Sequence, residues 1–156
     1  MVLTEAAPEA LPKQRSRWPF YVCLGLLACV VAYVLLFKVP EWRNDEKLAR
    51  LEERVSMFPL PPDTETDDRG VEGRVGIQSG NSNHCDYLVH MSLLTKLPDA
   101  EIARYYEFAA IEGVEGRALS GTVYVNPSGS WRGGFKGVIV EFFDGYHEPG
   151  FDMRCH

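Results

Sequence analysis

The sequence lacks the short motifs that identify catalytic and nucleotide-binding proteins. It contains no GxxxxGK[ST] phosphate loop, no GxSxG nucleophile elbow, and no CxxC or HxxxH spacing typical of zinc ligands. It also lacks an excess of positive charge, because 16 Lys and Arg against 22 Asp and Glu give a net charge of -6. That balance argues against a nucleic-acid partner and against a polybasic patch for anionic lipid. We therefore expect a protein that is not an enzyme and uses no cofactor.

Charge is absent altogether from residues 18–37, WPFYVCLGLLACVVAYVLLF. At 1.5 Å per residue a helix of this length spans about 30 Å, the thickness of the hydrocarbon core of a bilayer. Aromatic side chains stand at both ends of the run, where amphipathic rings prefer the headgroup region. The stretch predicts a single transmembrane helix, with the lipid bilayer as its partner.

Processing offers two alternatives to an uncleaved signal anchor. A cleaved signal peptide has a shorter apolar region followed by a small-residue cleavage site, and the end of this run, LLFKVPEW, contains none. The tetrapeptide LLAC, ending at Cys29, resembles a bacterial lipoprotein box, which would make Cys29 a lipidated first residue. An apolar VVAYVLLF follows it instead of the usual polar tether. We take the uncleaved anchor as the prediction and leave lipidation of Cys29 open.

Basic residues flank the anchor on both sides, so the positive-inside rule is nearly balanced. Lys13, Arg15 and Arg17 form the more compact cluster and precede the helix. This cluster, together with the cysteines discussed below, predicts a cytoplasmic N-terminus and an extracytoplasmic C-terminal domain.

The rest of the chain divides by composition. We predict a disordered tail over 1–17, a juxtamembrane stalk helix over 38–58, a proline-rich acidic linker over 59–70 and one small domain over 71–156. The stalk carries apolar residues at 3,4,3 spacing, Leu48, Leu51, Val55 and Phe58, which we call the stalk seam. This seam either packs on its own domain, binds a partner helix or forms a weak homodimer.

The C-terminal domain reads as two strands, a helix and three further strands. VEGRVGIQS and CDYLVHMSLLT alternate with period two around a turn-forming cluster, and LPDAEIARYYEFAAIEG has helical spacing and a proline at its start. ALSGTVYVN, FKGVIVEFF and FDMRC follow as strands. The order ββαβββ predicts an α+β domain with one helix packed on an antiparallel sheet of about five strands.

Two of the four cysteines, Cys85 and Cys155, lie in this domain. A disulfide between them would lower the entropy of the unfolded chain and so raise the free energy of unfolding by around 4 kcal/mol. Such a bond suits a domain that is too small for a large core. It would also require an oxidising compartment, in agreement with the predicted topology. The adjacent His84 and His156 complete a Cys₂His₂ set for zinc, but neighbouring residues of a strand point to opposite faces. We predict the disulfide and no metal.

Two further groups are candidate sites. The segment from Glu141 to Asp152 also holds Asp144, His147 and Glu148, and it could serve a metal-dependent or hydrolytic enzyme or be a polar, turn-rich loop. The hairpin PSGSWRGG carries Trp131 and Arg132, residue types enriched at interface hot spots. A small-ligand pocket between helix and sheet is a further alternative.

We predict a single-pass protein whose domain binds or scaffolds another protein of an envelope or membrane complex, through the stalk seam, the Trp131 hairpin, or both. The layout is similar to that of many accessory proteins of bacterial envelope complexes. This architectural likeness assigns no residue a role.

Overall fold

The computed structural model describes residues 17–80, 83–125 and 133–156. It begins with one long helix made of α1 (Trp18–Tyr33), a π-helical turn (Val34–Lys38) and α2 (Val39–Met57). Every residue of α1 is exposed. Among the described residues this 40-residue helix is the one that is long and apolar enough to cross a membrane.

The π-helical turn has a local cause in Pro40. Proline has no N–H to donate, and its ring crowds the carbonyl four residues earlier, here that of Leu36. The turn is wider than an α-helical one, and the Val39 N–H donates to the carbonyl of Val34, five residues back. The helix therefore continues past the proline, and α1 is joined to α2 without an intervening loop.

One face of α2 belongs to the core of the domain. Leu51 and Val55 are fully buried, and Leu48 and Phe58 pack against the same core. Phe58 has extended backbone angles, φ -65° and ψ 133°, because the residue before a proline disfavours the helical region. The helix thus stops where Pro59 begins.

This helix packs on a four-stranded antiparallel sheet. The strands of the sheet are β1 (Thr64–Gly76), β2 (Cys85–Thr95), β5 (Gly121–Val125) and β6 (Lys136–His147), and their order is β1-β2-β6-β5. A separate two-stranded ladder joins β3 (Ile111–Glu112) to β4 (Ala118–Leu119). In the central strand, Tyr87 pairs with Val75 of β1 and with Asp144 of β6.

The core lies on one face of this sheet. Tyr87, Val89, Met91 and Leu93 alternate along β2 and are essentially buried. The helix α2 contacts β1 and β2, while α3 (Asp99–Glu107) contacts β5, so two helices share that face. The prediction of one covering helix is thereby corrected. The apolar stripe of α2 is buried on the sheet, so α2 acts as a domain helix.

A glycine permits the close approach of α2 to β1. A Cβ atom added at Gly73 would lie 2.7 Å from Glu52 Oε1 and 2.8 Å from Leu48 Cδ1. Both atoms lie at the ends of side chains of α2, so these side chains rest against the backbone of the strand at this point. The lack of a side chain at Gly73 therefore leaves room for Glu52 and Leu48.

Three predicted segments differ from the structure. Residues 64–70 belong to β1 and not to a linker, because an edge strand needs backbone pairing on one side only and tolerates an acidic sequence. The helix predicted over 97–113 ends at Glu107, and Ile111–Glu112 pairs with β4. The final predicted strand is a 3₁₀ turn, Met153–Cys155, in which the Asp152 side chain accepts from the Arg154 N–H. The five-stranded ββαβββ sheet is accordingly a four-stranded sheet with a small extra ladder.

Candidate functional site

The junction between the long helix and the domain is built on a buried polar cluster. Asn44 of α2 is 5% exposed. Its Nδ2 donates to Asp152 Oδ2 at 2.9 Å, and its Oδ1 accepts from the Tyr87 hydroxyl, also at 2.9 Å. One side chain thus links the helix, the central strand and the C-terminal turn.

Arg154 extends the cluster to the surface. Its guanidinium donates to Asp152 through Nε at 3.0 Å and Nη2 at 2.8 Å, and through Nη1 to Asp45 at 2.7 Å. It also donates to the backbone carbonyl of Glu41 at 3.2 Å. We call Asn44, Tyr87, Asp152 and Arg154 the junction cluster. It attaches the end of the chain to the first turns of α2.

The side chains around Asp152 stabilise its negative charge. Burial raises the pKa of Asp152, but hydrogen bonds from Arg154 and Asn44 outweigh burial and hold that pKa at about 2. Burial, together with the nearby charge of Asp152, raises the pKa of Tyr87. The carboxylate therefore stays ionised and the phenol stays neutral near neutral pH.

Beside the cluster lies a disulfide. Cys85 and Cys155, the pair predicted from the sequence, are joined with a Cα separation of 4.8 Å and a sequence separation of 70. Asn44 Nδ2 also lies 3.4 Å from Cys85 Sγ. Ligand atoms of Cys85, Cys155 and Asp152 fall within 4.8 Å of one another, but both sulfurs are committed to the disulfide bond. That bond removes the thiolates a Cys₂His₂ zinc site would need.

The two histidines of that alternative make other contacts. His84 Nε2 lies 3.2 Å from Asp86 Oδ2, and its ring stacks on Tyr146 at 4.9 Å. His156 Nε2 lies 3.0 Å from the carbonyl oxygen of Gly150. His84 is thus placed by Asp86 and by Tyr146 of β6, and His156 by the carbonyl of Gly150.

A second buried group contains Asp144 and His147, each 2% exposed. His147 Nε2 lies 2.8 Å from Asp144 Oδ1, and Nδ1 lies 3.1 Å from Glu115 Oε1, but neither contact has hydrogen-bond alignment. Asp144 instead accepts from the Val114 N–H at 2.6 Å. Asp144 and His147 thus lie side by side below the surface of the domain.

A bulge in β6 brings these two residues to the same face. The register shifts between Cys85 and Tyr87 of β2, and Tyr146 adopts a positive φ of 66°. The extra residue returns His147 to the core side, whereas Glu141 points to the opposite face and lies 2.9 Å from His90. The predicted Glu141 to Asp152 group is therefore divided among three places in the structure.

Of the residues predicted to bind a protein partner, the structure describes those of the stalk seam and not those of the Trp131 hairpin. Leu51 and Val55 are fully buried, so the stalk seam is occupied by the protein's own core and is not an open interface. The seam's spacing is that of any helix with a narrow apolar stripe, and only the fold shows what covers it. Trp131 and Arg132 lie outside the described residues.

Sequence reasoning missed a groove at the far end of α2. It has a volume of about 450 Å³ and is lined by Phe58, Pro61, Pro62, Leu97, Glu101, Arg104, Tyr105 and Phe108. Phe108 is 76% exposed, and Tyr105 donates its hydroxyl to the carbonyl of Pro59 at 2.8 Å. We call this the distal groove. The prolines and aromatics were visible in the sequence, but their meeting depends on how α3 packs beside the end of α2.

The long helix and the disulfide are thus the two features on which a functional assignment rests. The apolar helix near the N-terminus can serve as a membrane anchor or a signal sequence, and the domain that follows carries a disulfide. In comparisons with known proteins, no family model, no curated protein and no solved structure matches this chain.

Proposed function

We propose that this chain is a single-pass membrane protein whose extracytoplasmic domain is a non-catalytic binding or scaffolding module of an envelope or membrane complex. One observation carries the proposal. A single helix runs from an apolar half that is wholly exposed into a half whose Leu51 and Val55 are fully buried in the domain. An exposed apolar surface of that length needs a lipid environment.

Continuity of the helix favours an anchor over a signal sequence. The apolar run meets α2 through the π-helical turn, and α2 is fixed to the domain by the junction cluster. Cleavage just after the apolar run would cut within this helix. The anchor and the domain are therefore best understood as one unit.

The disulfide supports an extracytoplasmic location. Structural disulfides persist in oxidising compartments and are rare in reducing cytosol. Cys85 and Cys155 are both fully buried beside the junction cluster, which suits a structural bond. The same assignment follows from the basic cluster that precedes the anchor.

The distal groove is the surface we propose for a protein partner. Phe58 lies about 30 Å farther along the helix axis than Phe37, so the groove opens away from the anchor. Lipid of the same membrane is thus a poor occupant for it. The exposed Phe108 ring beside Pro61 and Pro62 suits an apolar segment of another protein, with Glu101 and Arg104 as a polar rim.

Topology is tested with single reporter cysteines in a chain whose anchor cysteines are changed to alanine. Tyr124 is 52% exposed, so Y124C should react with a membrane-impermeant maleimide in intact cells. A10C, on the other side of the anchor, should react only after permeabilisation. The reverse pattern would overturn the proposed orientation, and labelling of neither variant in intact cells would place the domain inside.

Partner binding is tested with a matched pair of exposed aromatic residues. F108S removes the ring at the distal groove, and Y124S removes a ring from the sheet. A partner that co-purifies from the membrane with the wild-type chain should be lost with F108S and retained with Y124S, at unchanged melting temperatures. Retention with F108S would remove the distal groove from the proposal.

A further inference from the structure

The C-terminal turn lies beside the end of the apolar helix. The rings of Phe151 and Phe37 meet edge to face, with their centroids 6.2 Å apart. Phe37 is the last residue of the uncharged run. If the run crosses a bilayer, Phe151 therefore lies at the level where the bilayer ends.

The same turn forms one wall of a groove against the helix. The groove has a volume of about 330 Å³ and is lined by Tyr33, Phe37, Lys38, Glu41, Asp152, Met153 and Arg154. Tyr33 is one helical turn deeper in the apolar run than Phe37. Met153 thus faces a part of the helix that belongs to the membrane side of the junction.

The position of this turn relative to the helix is fixed by several bonds. Asp152 accepts from Asn44, Arg154 donates to Asp45 and to the Glu41 carbonyl, and Cys155 is disulfide-bonded. These bonds tie the turn to α2 on both sides of Met153, and the disulfide ties it to β2. The height of the turn above the membrane is accordingly set by the fold.

The turn presents apolar side chains outward and keeps its charges paired. Phe151 is 57% exposed and Met153 is 67% exposed. Next to them, Asp152 is paired with Arg154, and Lys38 lies 2.7 Å from Glu41. Placing the two apolar side chains in lipid would bury them without stripping water from an unpaired charge in this group.

We propose that Phe151 and Met153 form a second membrane contact, seated at the boundary of headgroups and acyl chains beside Tyr33 and Phe37. This inference rests on the proposed anchor. The domain then lies directly on the lipid surface in one orientation, with the distal groove facing away from the membrane.

The test uses full-length chains with a single tryptophan, reconstituted in bilayers of zwitterionic lipid brominated on the upper part of the acyl chains. F151W and M153W report on the turn, and F108W is the matched control at the distal groove. A chain that keeps only Trp18 reports on the anchor. Non-reducing mass analysis verifies that each chain retains its disulfide.

We expect the bromines to quench Trp18, F151W and M153W, with blue-shifted emission for the two turn reporters, and to leave F108W unchanged. Quenched Trp18 with unquenched F151W and M153W would overturn the second contact and leave the anchor standing. Unquenched Trp18 would overturn the anchor itself. Quenching of F108W as strongly as F151W would show that the domain does not stand in the proposed orientation.

Discussion

The junction cluster yields the sharpest energetic prediction, through Asn44 and Tyr87. Replacing Asn44 with alanine removes the donor to Asp152 and leaves the buried Tyr87 hydroxyl without the oxygen that accepts from it. A buried donor left unsatisfied costs about 1–3 kcal/mol, and a hydrogen bond to a charged group contributes roughly 1.5–3 kcal/mol. Because Asp152 keeps its bonds to Arg154, we expect N44A to lower the free energy of unfolding by about 3 kcal/mol.

A double-mutant cycle isolates the shared bond. Y87F alone should cost about 1–2 kcal/mol, since the Asn44 carbonyl oxygen then lacks its donor. In the N44A background the same change should cost nothing or restore up to about 1–3 kcal/mol, because it removes the buried hydroxyl that has lost its acceptor. The coupling energy should therefore be at least about 1 kcal/mol.

The assay is urea unfolding of the full chain in mild detergent, followed by near-ultraviolet circular dichroism. Y124F is the matched control, because the Tyr124 hydroxyl is exposed and lies 3.4 Å from Glu141 Oε1. That control should shift stability by less than about 0.5 kcal/mol. Strictly additive effects of N44A and Y87F would refute the reasoning, since they would show that the two side chains do not share a stabilising bond.

Three other perturbations test separate parts of the structure by the same unfolding assay. G73A should cost about 1 kcal/mol because the ends of the Glu52 and Leu48 side chains must move away from its Cβ, whereas G25A, with no atom within 4 Å, should be nearly neutral; equal effects would contradict this packing. Replacing both Cys85 and Cys155 with alanine should remove about 4 kcal/mol, and no loss would show that the bond does not constrain the unfolded chain. Asp152 has a pKa of about 2 when folded against an ordinary 3.8, so its stabilisation is present above pH 4 and is lost as the pH falls through about 2. D152N should weaken the dependence of the free energy of unfolding on pH between about 4 and 2. An unchanged pH dependence would show that Asp152 is not the group that titrates there.

Local sequence patterns were sufficient for several parts of the fold. The period-two alternation around Tyr87 and Val89 gave the strand and its core face, because successive strand residues point to opposite sides whatever the partner strand. The helical spacing of the segment predicted α3 for the same kind of reason, and Ile102 and Tyr106, four residues apart, are its buried residues. Such patterns depend only on near neighbours.

Those patterns did not predict where α3 ends, nor that the last predicted strand is a 3₁₀ turn. Ile111 leaves the helical pattern because its backbone pairs with Leu119, and no residue near Ile111 signals that ladder. The turn before Cys155 is held by the disulfide and by Asn44, which is 108 residues from Asp152. Contacts over such separations must offset the entropy that is lost when a long loop closes. Local composition does not reveal which of these contacts form.

The candidate sites show the same division. The sequence predicted the cysteine pair, since the other two cysteines lie in the apolar run, but it also suggested the stalk seam as an interface. The seam is buried because α2 packs on β1 and β2, and no feature of the stalk itself shows that the sheet will cover it. The distal groove and the contact of Phe151 with Phe37 likewise join segments that are distant in the chain.

By itself, the sequence determined the apolar helix, the main strands and the oxidisable cysteine pair, because hydrophobicity, periodicity and residue type are properties of short stretches. Only the tertiary structure decided that α2 is part of the domain, that the acidic group divides among three places, and that the C-terminal turn meets the end of the apolar helix. Those outcomes depend on which distant backbones pair and how closely they approach, and both are set by packing of the whole chain.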